Sequence, residues 1–268
     1  MNNKAIGIFD SGVGGLSCVK ELFSCLPNED IKYLGDTLRM PYGVKTIEQL
    51  HHCAHSNVDF LQRRNVKLIA AACGTVSSNV PKEHLDNLAV PFVDVIRPTV
   101  TAALNATKTK RISIIATPAT IRSESMAKRL KLMDDSVQVL GVACPDFVPL
   151  IEAGHIDDEP IRKSAEGYLK EVKDFNPDVL ILGCTHYPLI SGVITEIMGK
   201  DVALIDSGKE TALEIKKVLT EFNMLNDKTE QGSAEFFVTA NTKAFDDVAK
   251  IFMGDVHTVK SILKDIEE

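Results

Sequence analysis

The segment DVLILGCTHYPLI, residues 178–190, decides how this chain is read. Five residues suited to a buried strand run into Cys184, Thr185 and His186, and then into Tyr-Pro. A thiol and an imidazole two residues apart at the end of a core strand admit three readings. They could ligate a metal, they could fill tight space as free cysteines often do, or they could hold and move protons.

Working outward, the same kind of strand recurs. KAIGIFD, IKYLGD, VKLIAAAC, VPFVDVI, RISIIAT, VQVLGVAC, DVLILGC, VALIDS and AEFFVTA are short and β-branched, several of them apolar at every position. That pattern marks strands covered on both faces. Helical patterns over 15–26, 46–64, 121–132, 160–174 and 210–222 lie between them. The alternation predicts an α/β fold with mostly parallel sheets flanked by helices. A faint repeat adds to this: IAAACGT and LILGCTH each end a buried strand with a cysteine, offset by 184 − 73 = 111 residues, and IGIFDS and ISIIATP are offset similarly. We therefore expect two pseudosymmetric lobes, 1–96 plus a return over 209–268, and 97–208. Ligands in parallel α/β sheets sit outside the carboxyl ends of the strands. Both cysteines occupy such ends, which places the expected site in the cleft between the lobes.

The bulk composition excludes several classes. At 268 residues the chain exceeds the usual single-core size. A net charge of -7, no Trp and 6% aromatic residues argue against a nucleic-acid partner, which needs a basic face and stacking surfaces. No apolar run is long enough to span a bilayer, and MNNKAIGIFDSG lacks the charged-then-apolar layout of a secretory leader, so a cytosolic location is expected. The six cysteines, Cys18, Cys25, Cys53, Cys73, Cys144 and Cys184, form no CxxC pair and read as free thiols in a reducing compartment.

Three motifs need weighing against blander explanations. FDSGVGG follows the first strand, where glycines permit positive φ or close backbone approach to a ligand. A dinucleotide fingerprint would continue with Gly or Ala where Ser17 stands, and the Asp10 carboxylate would crowd a pyrophosphate, although Asp36 in YLGDT is suggestively placed. HHCAH puts His51 and His55 on one helical face, but no further ligand cluster completes a metal set. Cys184 and His186 alone are a possible Cys-x-His pair with the same shortfall.

Taken singly, Cys73 or Cys184 is best read as a small buried residue. Together, at equivalent places in two lobes, with Asp10 and His186 as one ionisable partner apiece, they suit one chemistry. Inverting a carbon beside a carboxylate requires a proton to leave one face and another to arrive on the opposite face. Two monoprotic acids on facing walls meet that requirement, whereas a single base mostly returns the proton it took. No GxSxG turn offers a competing hydrolase reading.

With IGIFDSGVGG, GDTLRMPYG, AACGT, ATPATIRS, CPDFVPLIE, GCTHYP and IDSG in order, the chain resembles the cofactor-independent glutamate racemases over nearly its whole length. FFVTANTKAFDDVAKIFMG is similar to that family's last strand and helix. The resemblance implies glutamate racemisation without pyridoxal phosphate, metal or other cofactor, a role supplying D-glutamate to peptidoglycan, and a homodimer. It implies that Cys73 and Cys184 are the proton donors and acceptors, assisted by Asp10 and His186. Substrate contacts would fall on Asp10, Ser11, Tyr42, Gly43, Gly74, Thr75, Thr117, Thr120, Thr185 and His186, with Asp36 and Glu152 as supporting carboxylates. Aspartate racemases of the wider superfamily resemble this layout but usually carry a glutamate where His186 stands, so GCTH favours glutamate as substrate.

Two positions depart from the family pattern. Gly74 replaces the usual Asn of Cys-Asn-Thr, and loss of that amide removes hydrogen bonds worth about 1–3 kcal/mol in a desolvated site. Arg97 stands where an acidic or small residue usually precedes Pro. An altered pocket is the expectation. Three alternatives remain open from sequence: a racemase or isomerase of another small dicarboxylate such as aspartate, a binding protein that kept the fold, and a nucleotide-dependent oxidoreductase.

Overall fold

Strands apolar on both faces need helical layers on both sides, and the computed structural model is built that way. It describes residues 3–80, 83, 85, 88–254 and 256–266; the expected first-lobe range also takes in residues outside that set. The strands are β1 (Ile6–Asp10), β2 (Ile31–Gly35), β3 (Leu68–Ala71), β4 (Phe92–Asp94), β5 (Arg111–Ala116), β6 (Gln138–Ala143), β7 (Val179–Leu182), β8 (Ala203–Asp206), β9 (Ala234–Val238) and β10 (Ser261–Leu263). The helices are α1 (Leu16–Cys25), α2 (Ile47–Gln62), α3 (Gly74–Asn79), α4 (Ile96–Ala106), α5 (Pro118–Ser123), α6 (Ser125–Met133), α7 (Phe147–Glu152), α8 (Glu159–Phe175), α9 (Ser191–Met198), α10 (Ser207–Glu221) and α11 (Thr242–Met253).

Two parallel sheets result, one ordered β10-β9-β2-β1-β3-β4 and the other β6-β5-β7-β8. The second order repeats the β2-β1-β3-β4 portion of the first, strand for strand. In each, the chain reverses its direction of winding at the central strand, between β1 and β3 and between β5 and β7. Such switch points leave a crevice at the carboxyl ends of the strands. The chain crosses to the second sheet after β4 and returns through α10, which packs on α1 and α4.

The period-2 alternation of the strands separates the core into layers. Ile6 and Ile8 face a cluster with α1, α10 and α11 residues such as Leu22, Ile215 and Phe245. Phe9, Ile69 and Ala71 face Leu50, Val58 and Leu61 of α2 on the other side. Ile115, Leu180 and Leu182 pack on Leu169 and Val193, while Ile112, Ile114 and Ile181 pack on Val100 and Leu130. Each such buried side chain contributes about 1.5–3 kcal/mol. α2 begins at a capping box, with Gln49 N donating to Thr46 Oγ1 at 3.3 Å and Thr46 N donating to Gln49 Oε1 at 3.0 Å.

All the strands expected from sequence are strands here. β10 was not among them, and the helix expected over 121–132 is two helices. α5 and α6 meet at Glu124, whose φ of 54° turns the chain.

One buried ion pair fastens the return segment. Lys67 Nζ lies 2.5 Å from Glu29 Oε2, with both side chains almost fully buried, and donates to Met224 O at 2.8 Å. Glu29 Oε1 accepts from Asn226 N at 2.6 Å. Removing one member strands the other charge in the interior, so Lys67→Met should lose about 3–5 kcal/mol in urea denaturation. Lys67→Met combined with Glu29→Leu should recover most of that loss; equal losses in the single and double variants would show that the pair is not coupled.

Candidate active site

Both switch points open onto one cavity of about 570 Å³. From the first sheet come Asp10 and Ser11 at the end of β1, Tyr42 and Gly43 in a short 3-10 turn, and Cys73, Gly74 and Thr75 where β3 passes into α3. The second sheet supplies Thr117 and Thr120 around the start of α5, Glu152 at the end of α7, and Cys184, Thr185 and His186 just past β7. Every site residue predicted from sequence lines this cavity except Asp36.

Asp36 sits one layer behind. It is fully buried, accepts from Arg39 Nε at 2.6 Å and from Thr239 Oγ1 at 3.0 Å, and receives the Tyr42 hydroxyl. Asn57 Nδ2 donates to the same Tyr42 oxygen at 3.1 Å. Burial and the adjacent Asp36 push the Tyr42 phenol far above its ordinary range, so it is a fixed hydrogen-bond donor. Asp36 therefore acts on the cavity through Tyr42. Arg97 is exposed on α4 and does not line the cavity, so its departure from the family pattern has no counterpart at the site.

The two thiols have different surroundings. Cys73 Sγ is 3.8 Å from Ser11 Oγ, and burial followed by the negative field of Asp10 pushes the thiol up to about 12. Asp10 is itself raised, chiefly by burial, against the opposing pull of His186 and the backbone N–H groups of Gly12, Gly15 and Ser11. Its Oδ2 accepts from Gly12 N at 3.0 Å. Cys184 Sγ lies 3.8 Å from His186 Nδ1, and the opposite ring nitrogen, Nε2, is 2.8 Å from Glu152 Oε1. Burial works against a charged imidazole, but the hydrogen bonds with Cys184 and Glu152 outweigh it and raise His186 to about 10. The Phe252 ring of α11 meets the imidazole edge-on at 5.3 Å, holding its plane from the first sheet's side.

The glycines after β1 do something other than expected. None of Gly12, Gly14 or Gly15 has a positive φ. Gly14 and Gly15 are small because of what they touch: a side chain at Gly14 would overlap Thr185 and the His186 ring, and one at Gly15 would come within 2.8 Å of Asp10 Cβ, whereas a Cβ at Gly12 would make only ordinary contact with Met40. Thr117 and Thr120 pair through their hydroxyls at 3.0 Å. The lining also includes Arg122 and a third thiol, Cys144, neither of which was singled out from sequence. Cys144 follows β6 as Cys184 follows β7, a strand-end signal like the one that marked the other two; Arg122 offered no comparable signal. His51, His52 and His55 lie outside the cavity, and among the described residues no group of three or more His, Cys, Asp or Glu is arranged to hold a metal ion.

Comparison with known proteins bears on this geometry. The model of the Asp/Glu/Hydantoin racemase family matches residues 14–215. The chain belongs to that family. Among curated relatives, glutamate racemase from Geobacter metallireducens is 41% identical over 251 residues, covering 94% of this chain and 93% of that protein. The Exiguobacterium sibiricum glutamate racemase is 38% identical over 99% of this chain and 98% of its own length. Among solved structures, a glutamate racemase isoform from Bacillus anthracis superposes with a TM-score of 0.94 at 32% identity, covering 99% and 98% of the two chains. Glutamate racemase from Francisella tularensis, solved with D-glutamate, gives 0.90 at 35% identity, covering 100% and 99%.

The His186–Glu152 pair has a testable pH signature. A histidine at about 10 in the folded protein against an ordinary 6.5 adds stability that is complete below pH 6.5 and is lost as pH rises through about 10. Glu152→Gln removes part of that gain. The thermal midpoint of wild type should exceed that of Glu152→Gln most clearly near pH 6.5, with the gap closing toward pH 10; a gap that widens with pH would contradict the assignment.

Proposed function

We propose that this protein interconverts L-glutamate and D-glutamate without a cofactor, using Cys73 and Cys184 as the two acid–base groups. The observation that supports it most is the entry of both thiols into one cavity from two different sheets, each with its own ionisable neighbour. One sulfur, as thiolate, takes the α-proton from the face it meets; the other, as thiol, delivers its proton to the opposite face of the planar carbanion. The C–H bond broken on one side is replaced on the other, and the thiol and thiolate exchange roles. The next turnover in the reverse direction starts from that exchanged state.

In this reading Asp10, next to Cys73, receives and returns protons at that wall. The imidazolium of His186 steadies charge on the Cys184 sulfur, and Glu152 holds the ring. Ser11, Gly43, Thr75, Thr117, Thr120 and Thr185, with the Tyr42 phenol anchored by Asp36, surround the substrate's carboxylates and amino group. His186 and Arg122 are the cationic side chains at hand for a dicarboxylate.

We further propose two working lobes, 1–96 with 209–268 and 97–208, since the strands of the six-stranded sheet fall in the first and those of the four-stranded sheet in the second. A cytoplasmic location suits six free cysteines; among the described residues no helix is long and apolar enough to cross a membrane. Leu38, Met40, Val44 and Ile47 are exposed on the segment bordering the cavity, an apolar surface that a second copy would cover in a homodimer. The supply of D-glutamate to peptidoglycan follows from the resemblance to glutamate racemases.

Removing either sulfur leaves one wall without its acid–base group. Cys73→Ser and Cys184→Ser should each lower the inversion rate of both glutamate enantiomers by roughly 10²–10⁴-fold, followed by chiral chromatography. Inversion of aspartate but not glutamate by wild type would move the substrate assignment. Near-normal inversion by either serine variant would sink the two-thiol mechanism.

A further inference from the structure

The cavity has a charged side chain that the acid–base walls do not use. Apart from the thiols and Tyr42, its ionisable lining residues are Asp10, Glu152, His186 and Arg122. Three of these engage one another: His186 Nε2 lies 2.8 Å from Glu152 Oε1, and the charge of His186 pulls on Asp10. Arg122 stands apart, with no hydrogen bond or ion pair among the described residues. Other arginines are tied down, Arg39 to Asp36 and Arg162 to Asp157 and Glu196.

Its place is the mouth of the cavity. α5 belongs to the second sheet's half and packs against α3 and the Tyr42–Val44 turn of the first. Pro118 and Arg122 are four residues apart on α5, hence on one face, and both line the cavity. Val44 lines it from the other half while being 81% exposed. Arg122 is exposed as well. Side chains that border a cavity and still meet solvent mark its rim, so Arg122 and Val44 flank the opening.

The overall field works against an anionic substrate. Thirty Lys and Arg stand against 37 Asp and Glu, a net charge of -7. Glutamate itself carries a net charge of about -1 at neutral pH. An unpaired guanidinium at the opening reverses that field locally, because the low-dielectric walls of a cleft focus it.

We propose that Arg122 is the rim cation that recruits and holds the anionic substrate, acting on binding and not on proton transfer. The proposal rests on the reading of glutamate as substrate given above. Cys73 and Cys184 are buried whereas Arg122 is exposed, so its charge acts from outside the proton-moving layer. An interaction equally present in ground and transition states changes KM and leaves kcat alone. Salt weakens such a rim charge, since the Debye length falls from about 10 Å at 0.1 M to about 3 Å at 1 M.

The test compares wild type with Arg122→Gln, Arg122→Lys and Arg122→Glu. Arg97→Gln, exposed on α4 and outside the cavity, is the control for net charge. KM and kcat are measured for both glutamate enantiomers in 0.1 M and 1 M KCl, the two salt points compared above. Thermal-shift titration with racemic glutamate gives binding independently of turnover. At the lower salt Arg122→Gln should raise KM and the titration midpoint by about 3-fold to 10-fold with kcat near wild type. Arg122→Glu should raise them further, Arg122→Lys should stay close to wild type, and Arg97→Gln should match it. At the higher salt the differences should shrink. Wild-type KM and binding in Arg122→Gln would overturn the proposal, as would an equal rise in Arg97→Gln. A loss in Arg122→Lys as large as in Arg122→Gln, unchanged by salt, would show that shape and not charge matters, and would overturn it too. Binding without inversion by wild type would sink the two-thiol mechanism while the titrations still decide the role of Arg122. Absence of both binding and inversion by wild type would overturn the substrate reading and this proposal with it.

Discussion

Everything at the site depends on bringing two strand ends from different sheets close enough to share one small molecule. β3 and β7 each end two residues before a cysteine, and each lies beside the central strand of its sheet at the point where the winding reverses. The duplicated strand order aims both switch-point crevices into a common space. Neither half brings two thiols to the cavity from facing walls alone. The return through α10, packed on α1 and α4, joins the halves, as does the packing of α3 on α5 and α6.

Within that space the two walls are electrostatically unlike. The first holds its protons: burial, then the field of Asp10, raises Cys73 to about 12, and burial raises Asp10 as well. The second is cationic, with a histidine raised to about 10 through its bonds to Cys184 and Glu152. The raised Asp10 and the nearby His186 influence each other directly, which couples the two walls through charge as well as through space.

Much of this was legible in the sequence because the relevant signals are local. Doubly buried strands show themselves as apolar runs, and a thiol followed closely by threonine at two such strand ends is visible without any coordinates. What stayed hidden depended on distant neighbours. GVGG reads as a flexible turn, yet Gly14 is small because Thr185 and His186 press on it from a segment some 170 residues away. Gly74 reads as a missing amide, and the structure adds that a Cβ there would stand 2.8 Å from the carbonyl oxygen of Gly183, a neighbour more than 100 residues away. The break between α5 and α6 falls at Glu124, a residue that gives no turn signal where a glycine would have. β10 is three residues long with Ile262 and Leu263 exposed, too short and too wet to produce a pattern. Asp36 resembled a ribose ligand at a strand end, but Tyr42 covers it and turns it into an anchor.

The most direct measurement of the central claim is the fate of the α-hydrogen in early turnover of the wild-type protein in D₂O, started separately from L-glutamate and from D-glutamate with no cofactor added. Two walls that each handle one proton predict deuterium in the newly formed enantiomer and protium retained in the unreacted one, from both directions. Deuterium accumulating in unreacted substrate as fast as in product, from either direction, would mean that one group serves both faces, and the two-wall account would be wrong.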